Sequence, residues 1–322
     1  MAARPSAAFL DYATLGRGVD TTRLEELVDA TYYDCSATSE VAARVVDCDI
    51  AILNKAKLGA AAIKGAKRLK LIALVATGSD NVDVSAAKER GVAVANIRDY
   101  CSTAVVQHVF ALVLGLTQQI AGYSARVRAG AWQESRTFAM FDYPIRELTG
   151  RVLGLCGYGS LGQSVGRVGE CLGMRVIVSA RPGTERAEVP KGRVHFDDVI
   201  EQSDVLSLHC PLTPATRNMI GAPQLKRMKP DAILINTARG GLIDSEALVA
   251  ALKAGEIAGA GIDVLVHEPP RKGDPLLAPD VPNLIVTPHI AWAARESRQR
   301  ALDQVTENIA DFLGGGRLRR LV

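Results

Sequence analysis

An α/β fold, with parallel strands alternating with helices, is predicted by three observations on this sequence. Short apolar runs alternate with helical patterns over most of its length. One run, Val152 to Cys156, breaks into the glycine-spaced turn GYGSLG, continues as a helix-like segment and re-enters an apolar run at Arg175. In the second half, run after run ends in a polar or titratable residue. At 322 residues, the length suits about two domains, each able to bury its own core.

The first hundred residues alternate short β-like runs with helical patterns: Ala7 to Leu10, Leu24 to Val28, Ile50 to Leu53, Leu71 to Val75 and Val92 to Ala95. Thr22 followed by Glu25, with Leu24, Leu27 and Val28 inside, reads as a capping box opening the first helix. The run ending at Val75 leads into ATGSDNVD. Such a loop serves as a plain turn in many proteins, but the carboxyl edge of an open α/β sheet is where ligands bind. Gly78 and its neighbour Ser79 are therefore candidate anion-binding amides. Ser102 to Gln119 reads as a long apolar helix. The stretch Gln118 to Gly150 is the least regular, and its aromatics Tyr123, Trp132, Phe138, Phe141 and Tyr143 serve either as core plugs or as an oligomer arm.

In GYGSLG, Gly157 permits a tight bend out of the strand and Gly159 lets backbone approach a pyrophosphate with no Cβ in the way. Gly162 lets helix and strand pack closely, and the N–H groups opening the helix face the phosphates. The glycine spacing alone is a weak signal, and an ordinary turn would also satisfy it. The flanking strands favour a dinucleotide-binding turn.

Four later runs end informatively. Asp204 to Leu208 leads to His209, Cys210 and Pro211, and Ala232 to Ile235 to Asn236, Thr237, Ala238 and Arg239. Ala258 to Ile262 leads to Asp263, and Leu284 to Thr287 to Pro288 and His289. In a parallel sheet these ends share the edge that carries GYGSLG. Ser245 is placed to cap a connecting helix that Gly255 ends.

Composition narrows the function. The 38 basic and 35 acidic residues nearly balance, and no basic face with interleaved aromatics points to nucleic acid. Arg317, Arg319 and Arg320 follow three glycines and read as a solvated tail. The longest apolar run, Val105 to Leu116, falls short of the roughly 20 residues of a membrane span. MAARPSAAFLDYA offers no adequate signal-peptide core, and the six cysteines, at 35, 48, 101, 156, 171 and 210, lack CxxC spacing. Reduced thiols in cytoplasm are expected.

Arg239, Glu268 and His289 stand out near the predicted edge. Each alone has a bland reading: a surface arginine, a loop solubiliser, a structural histidine. Together they divide a chemical task, because a guanidinium grips a carboxylate bidentately and a histidine exchanges protons with a hydroxyl or carbonyl oxygen near neutral pH. A neighbouring carboxylate favours the imidazolium. Beside a nicotinamide, the set describes hydride transfer at a 2-hydroxy or 2-keto acid. His108, in a helical run, and His195, in a charged connection, read as structural or exposed. His209 and His267 lie closer, but no HExxH or paired-cysteine spacing supports a zinc site with His289, and no metal is expected.

VATGSDNVD, GYGSLG, LHCPLTPATRNMI, INTARGGLID, GAGIDVL, HEPP and TPHIAW, in this order and spacing, resemble the D-isomer-specific 2-hydroxyacid dehydrogenases along nearly the whole chain. Within that family, LHCPLTP, FDYPIREL and TPHIAW look closest to the bacterial glycerate dehydrogenases, or hydroxypyruvate reductases. The resemblance implies a Rossmann dinucleotide-binding domain, residues 102–291, inserted into a flavodoxin-like substrate domain, residues 1–101 and 292–322. It implies that Arg239 binds the substrate carboxylate, His289 is the acid/base and Glu268 orients it. Gly78 and Ser79 would hold the carboxylate from the other domain, with domain closure around the substrate. Ser160 and Leu161, within the glycine turn, would contact the pyrophosphate. Cys210, Pro211, Thr216, Thr237, Ala238 and Asp263 would line the cofactor, together with Arg239 and His289. A homodimer built through the nucleotide domains is also implied.

One position departs from the family. The acidic residue that selects NAD, about 20 residues after the glycine turn, is here Ala180, followed by Arg181. NADPH is therefore favoured weakly over NADH. Two other functions compete: an adenosyl-cofactor enzyme, which leaves the Arg, Glu and His set unexplained, and a nucleotide-sensing binding protein like the corepressors that share this fold. Turnover discriminates, since a sensor binds cofactor tightly without steady-state oxidation.

Overall fold

A computed structural model describes residues 4–322. The chain forms two compact units, Met1–Cys101 with Trp292–Val322, and Ser102–Ala291.

In the first unit, β1 (Ser6–Phe9), β2 (Asp29–Tyr32), β3 (Ile50–Leu53), β4 (Leu71–Leu74) and β5 (Ala93–Ala95) form a parallel sheet in the order β2-β1-β3-β4-β5. That is the flavodoxin-like order. Strands β3 and β4 are apolar throughout because both faces of the sheet are covered. Ile50, Ile52, Leu71 and Ala73 join one buried cluster, while Ala51, Leu53, Ile72 and Leu74 join another. The first cluster includes Ala301, Leu302, Val305 and Ile309, a helical stripe on Arg295–Leu313. The carboxy-terminal helix thus completes the first core, and each of its large apolar side chains contributes roughly 1.5–3 kcal/mol on burial.

Two local expectations fail here. Leu24 to Val28 is not a strand: Thr22–Leu27 is helical and the strand follows at Asp29–Tyr32. Strand β2 lies at the sheet edge with alternating exposure, so it lacks the continuous apolar run of its neighbours. Nor does Thr22 open a capping box. Thr21 is the cap residue, its hydroxyl donates to Glu25 Oε1 at 2.6 Å, and Asp20 Oδ1 accepts the Thr22 N–H at 3.0 Å.

In the second unit, β6 (Val152–Cys156), β7 (Arg175–Val178), β8 (Val205–Leu208), β9 (Ile233–Asn236), β10 (Gly259–Ile262) and β11 (Leu284–Val286) are all parallel, in the order β11-β10-β9-β8-β6-β7. The chain runs outward from β6 to β7 and then returns to β8, so the order reverses between β6 and β8. Ligands of open α/β sheets bind at such a switch point. Beyond β7, Val194 pairs with the backbone at Ser179. Asp244, not Ser245, caps the helix Ser245–Ala254. Its carboxylate accepts from the Glu246 and Ala247 amides at 3.1 Å each, so one acidic side chain satisfies two orphan donors. Gly255 ends that helix at φ 70.

The helix Ser102–Gln118 buries one face, eight of its 17 residues, and among the described residues no single helix is long and apolar enough to cross a membrane. After the helix Ile120–Arg128 the chain is irregular up to β6, and its aromatics are not core plugs. Trp132, Phe138 and Phe141 are 53%, 90% and 83% exposed. Tyr123 and Tyr143 pack edge to face at 5.2 Å. All six cysteines are free thiols.

Candidate active site

The glycine turn at the end of β6 has two glycines fixed by packing and one open to solvent. Gly157 adopts φ 101, and a Cβ there would lie 2.4 Å from the His209 carbonyl oxygen. A Cβ on Gly162 would lie 2.3 Å from the Gly157 carbonyl oxygen. These contacts draw the helix Ser160–Cys171 onto the turn and the turn onto the end of β8. Gly159, the cap residue of that helix, would project a Cβ into open space. The cradle above Gly159 and the amides of Ser160, Leu161 and Gly162 therefore fits a pyrophosphate.

At the end of β7, Ala180 is buried and its N–H donates to the Val194 carbonyl at 2.8 Å. Its methyl has no acceptor for a ribose hydroxyl. Arg181 is exposed and begins a turn closed by the Thr184 N–H.

Three loops at the same carboxyl edge bring the chemical groups together. His289 follows β11 at φ 56, and its Nδ1 lies 2.5 Å from Glu268 Oε2. The other Glu268 oxygen, Oε1, accepts the Leu265 N–H at 2.8 Å. A Cβ on Gly240 would lie 2.1 Å from the Leu265 carbonyl carbon, so the loop after β9 runs against the segment that holds Glu268. The two glycines after Arg239 thus have separate causes: backbone at Gly240 must pass close to Leu265, and a Cβ on Gly241 would lie 2.9 Å from the Leu212 side chain. Arg239 is exposed, its Nη1 donating to the Ala238 carbonyl at 2.7 Å. Asn236 Nδ2 donates to the Arg239 carbonyl at 2.9 Å and Asn236 Oδ1 accepts the Ala238 N–H at 3.0 Å, which pins the turn.

Asp263, after β10, organises the histidine loop. Its carboxylate is buried and accepts the N–H groups of Ile290 and Ala291 at 2.9 Å each, and the Thr287 hydroxyl at 2.5 Å. Its carbonyl accepts the His289 N–H at 2.8 Å. The contacts hold His289 in a conformation few non-glycine residues adopt. His108, read from sequence as structural or exposed, belongs to this network. Its Nε2 lies 2.9 Å from Thr287 Oγ1 and 3.5 Å from Asp263 Oδ1. A polar ring within the apolar run of its helix was the available signal.

After β8, His209 Nε2 meets Ser207 Oγ at 2.9 Å, while its Nδ1 is buried without a partner. Burial pushes its pKa down to about 4, so the ring is neutral at physiological pH. Burial pushes the Cys210 thiol up to about 11, which keeps it from being a thiolate nucleophile. Thr216 Oγ1 donates to the Pro211 carbonyl at 2.8 Å and shapes that loop. Thr237 Oγ1 is buried and unpartnered beside Ala238, a polar group poised for a ligand. In the first unit, Gly78 and Ser79 follow β4, both half-buried, and the Ser79 carbonyl accepts the Val82 N–H. No cluster of three metal-ligating side chains occurs among the described residues.

A doubly wound sheet with a phosphate-type turn at its switch point, and a histidine–carboxylate pair on the same edge, defines a dinucleotide-dependent oxidoreductase. Residues 110–291 match the family model of the D-isomer specific 2-hydroxyacid dehydrogenase NAD binding domain. The chain belongs to this family. It is 48% identical over 277 residues to a glycerate dehydrogenase of Methylorubrum extorquens, covering 86% of each chain. It is 36% identical to a hydroxypyruvate reductase of Blautia hydrogenotrophica, covering 92% of this chain and 93% of that one. Among solved structures it resembles the TT0316 protein of Thermus thermophilus, with a TM-score of 0.86, 32% identity and coverage of 98% and 100%. An acyclic imino acid reductase in complex with NADPH and D-Arg superposes with a TM-score of 0.84, at 28% identity and coverage of 98% and 100%.

Proposed function

We propose that this D-2-hydroxyacid dehydrogenase reduces small 2-keto acids, hydroxypyruvate or glyoxylate, to D-glycerate or glycolate, and reverses the reaction. The observation that carries the reading is the 2.5 Å contact of His289 Nδ1 with Glu268 Oε2, at the edge that bears the glycine turn. The Methylorubrum relative, named a glycerate dehydrogenase, supports the substrate class.

The nicotinamide supplies or accepts the hydride when bound. Glu268 takes the Nδ1 side of the imidazole and leaves Nε2 to give a proton to the substrate oxygen. Arg239 offers its fork to the carboxylate. Gly157, Gly159, Ser160, Leu161 and Gly162 would hold the pyrophosphate of a bound cofactor. Thr237, Ala238, Cys210, Pro211 and Thr216 would border the nicotinamide side, and Asp263 fixes the acid/base loop. Ala180 presents no carboxylate to repel a 2′-phosphate, and Arg181 is exposed beside it, so NADPH is favoured over NADH. The exposed rings of Trp132, Phe138 and Phe141 support a homodimer through this unit.

The test is a panel of hydroxypyruvate, glyoxylate, pyruvate and phenylpyruvate, each assayed with NADPH and NADH. The highest kcat/KM is expected for hydroxypyruvate or glyoxylate with NADPH. Absence of turnover with every acid, despite tight cofactor binding, would contradict the proposal.

A further inference from the structure

We infer that Arg193, seated on Tyr158, is a second cation for the 2′-phosphate of NADP. This rests on the NADPH reading above and adds a residue to it.

Tyr158 is the residue between the first two glycines of the phosphate turn, and the Arg193 guanidinium carbon lies 5.1 Å from its ring centroid. A guanidinium laid on an aromatic face keeps its N–H edges free for an anion. Arg193 is also tied to the ribose end of the site. Its neighbour Val194 accepts the Ala180 N–H at 2.8 Å and donates to the Val178 carbonyl at 2.8 Å. The segment bearing Arg193 is thus stitched to the end of β7, where the fold places the adenosine ribose. Arg193 thus rests on a residue of the glycine turn while its own segment is paired with the end of β7.

The neighbouring arginines sharpen the assignment. Arg186 is fully engaged, with Nη1 and Nη2 each 2.8 Å from an Asp198 oxygen. Neither Arg181 nor Arg193 makes an ion pair among the described residues. Arg193 is half-buried, so its charge is less screened than that of a fully solvated side chain. The region at the end of β7 therefore carries two guanidiniums without an ion-pair partner among the described residues and, at Ala180, no carboxylate to oppose them.

The experiment is calorimetric binding of adenosine 2′,5′-bisphosphate and of 5′-AMP to the apo-protein, which reads the phosphate without turnover. Wild type is expected to prefer the bisphosphate. Arg193→Met should lower bisphosphate affinity about tenfold or more, the share of a charge-assisted hydrogen bond, while leaving 5′-AMP affinity nearly unchanged. Arg193→Lys should retain part of the preference, and Tyr158→Leu should weaken it by releasing the guanidinium. If Arg193→Met keeps the wild-type ratio while Arg181→Met lowers it, the inference is wrong and the NADPH reading stands. If both ligands lose affinity equally in Arg193→Met, the side chain stacks on adenine and the phosphate role is overturned. Equal affinities in wild type would overturn both. Unchanged melting temperatures of the variants serve as the folding control.

Discussion

Replacing Gly159 with alanine separates ligand binding from stability, because that glycine has no packing reason to lack a side chain. Its backbone is extended, at φ −71 and ψ −166, and the added Cβ would meet no atom within 4 Å. Alanine is the poorer helix cap, at about 0.5–1 kcal/mol, but it restricts the unfolded chain by about 0.4–1 kcal/mol. The two nearly cancel. For a unit of this size about 1 kcal/mol moves Tm by only about 2–4 °C, so the apo-protein should melt within that margin of wild type. The cofactor meets a different surface. A methyl standing over the cradle holds the pyrophosphate off the amides, and losing one hydrogen bond to a charged group costs about 1.5–3 kcal/mol, or roughly 10- to 150-fold in Kd. Fluorescence titration of NADPH and NADH reads the binding, and scanning fluorimetry without ligand reads the stability. Gly157→Ala is the counter-case: a Cβ 2.4 Å from the His209 carbonyl oxygen at φ 101 should destabilise the apo-protein itself. Wild-type cofactor affinity in Gly159→Ala would refute the placement of the pyrophosphate.

Arg239→Lys should lower kcat/KM for 2-keto acids by at least tenfold, since a point charge lacks the fork, whereas cofactor Kd stays near wild type. Equal efficiency in a steady-state assay would remove Arg239 from the carboxylate. Glu268→Gln should lower kcat more than it raises KM, because the imidazole loses the carboxylate at its Nδ1, and an unchanged kcat would contradict the pairing. His209 should make the apo-protein acid-sensitive. Its folded pKa, about 4, lies below the usual 6.5, so between these values the unfolded chain takes up a proton that the folded chain refuses. Stability is therefore full above pH 6.5 and is lost as pH falls toward 4, by about 3–4 kcal/mol at about 1.4 kcal/mol per pH unit. Urea unfolding at several pH values should show a shallower loss in His209→Gln, and an identical slope would count against a buried neutral ring.

Most of the second sheet was legible because its strands are short, mainly apolar runs, four of them buried throughout, and covered parallel strands read that way. The polar residues Thr237, Arg239, Asp263 and His289 were legible because each follows the end of such a run. β2 was missed for the opposite reason. It is an edge strand with the alternating sequence Asp-Ala-Thr-Tyr, and the apolar residues before it belong to a helix. His108 reads as structural or exposed, and its partners, Thr287 and Asp263, are not legible because they lie far away in sequence and no local pattern links them. The reason for Gly240 was half-visible. Two glycines after an arginine imply a close approach, but only the fold shows that Gly240 approaches Leu265, beside the segment holding Glu268, and Gly241 the Leu212 side chain.

The central claim is that His289 passes a proton to the substrate while the cofactor site functions independently. Single-turnover reduction of hydroxypyruvate by enzyme preloaded with NADPH, compared between wild type and His289→Ala, tests it most directly. The account predicts a rate about 10²–10⁴-fold slower in the variant, with NADPH Kd within a few-fold of wild type. A variant that oxidises bound NADPH at the wild-type rate would contradict it.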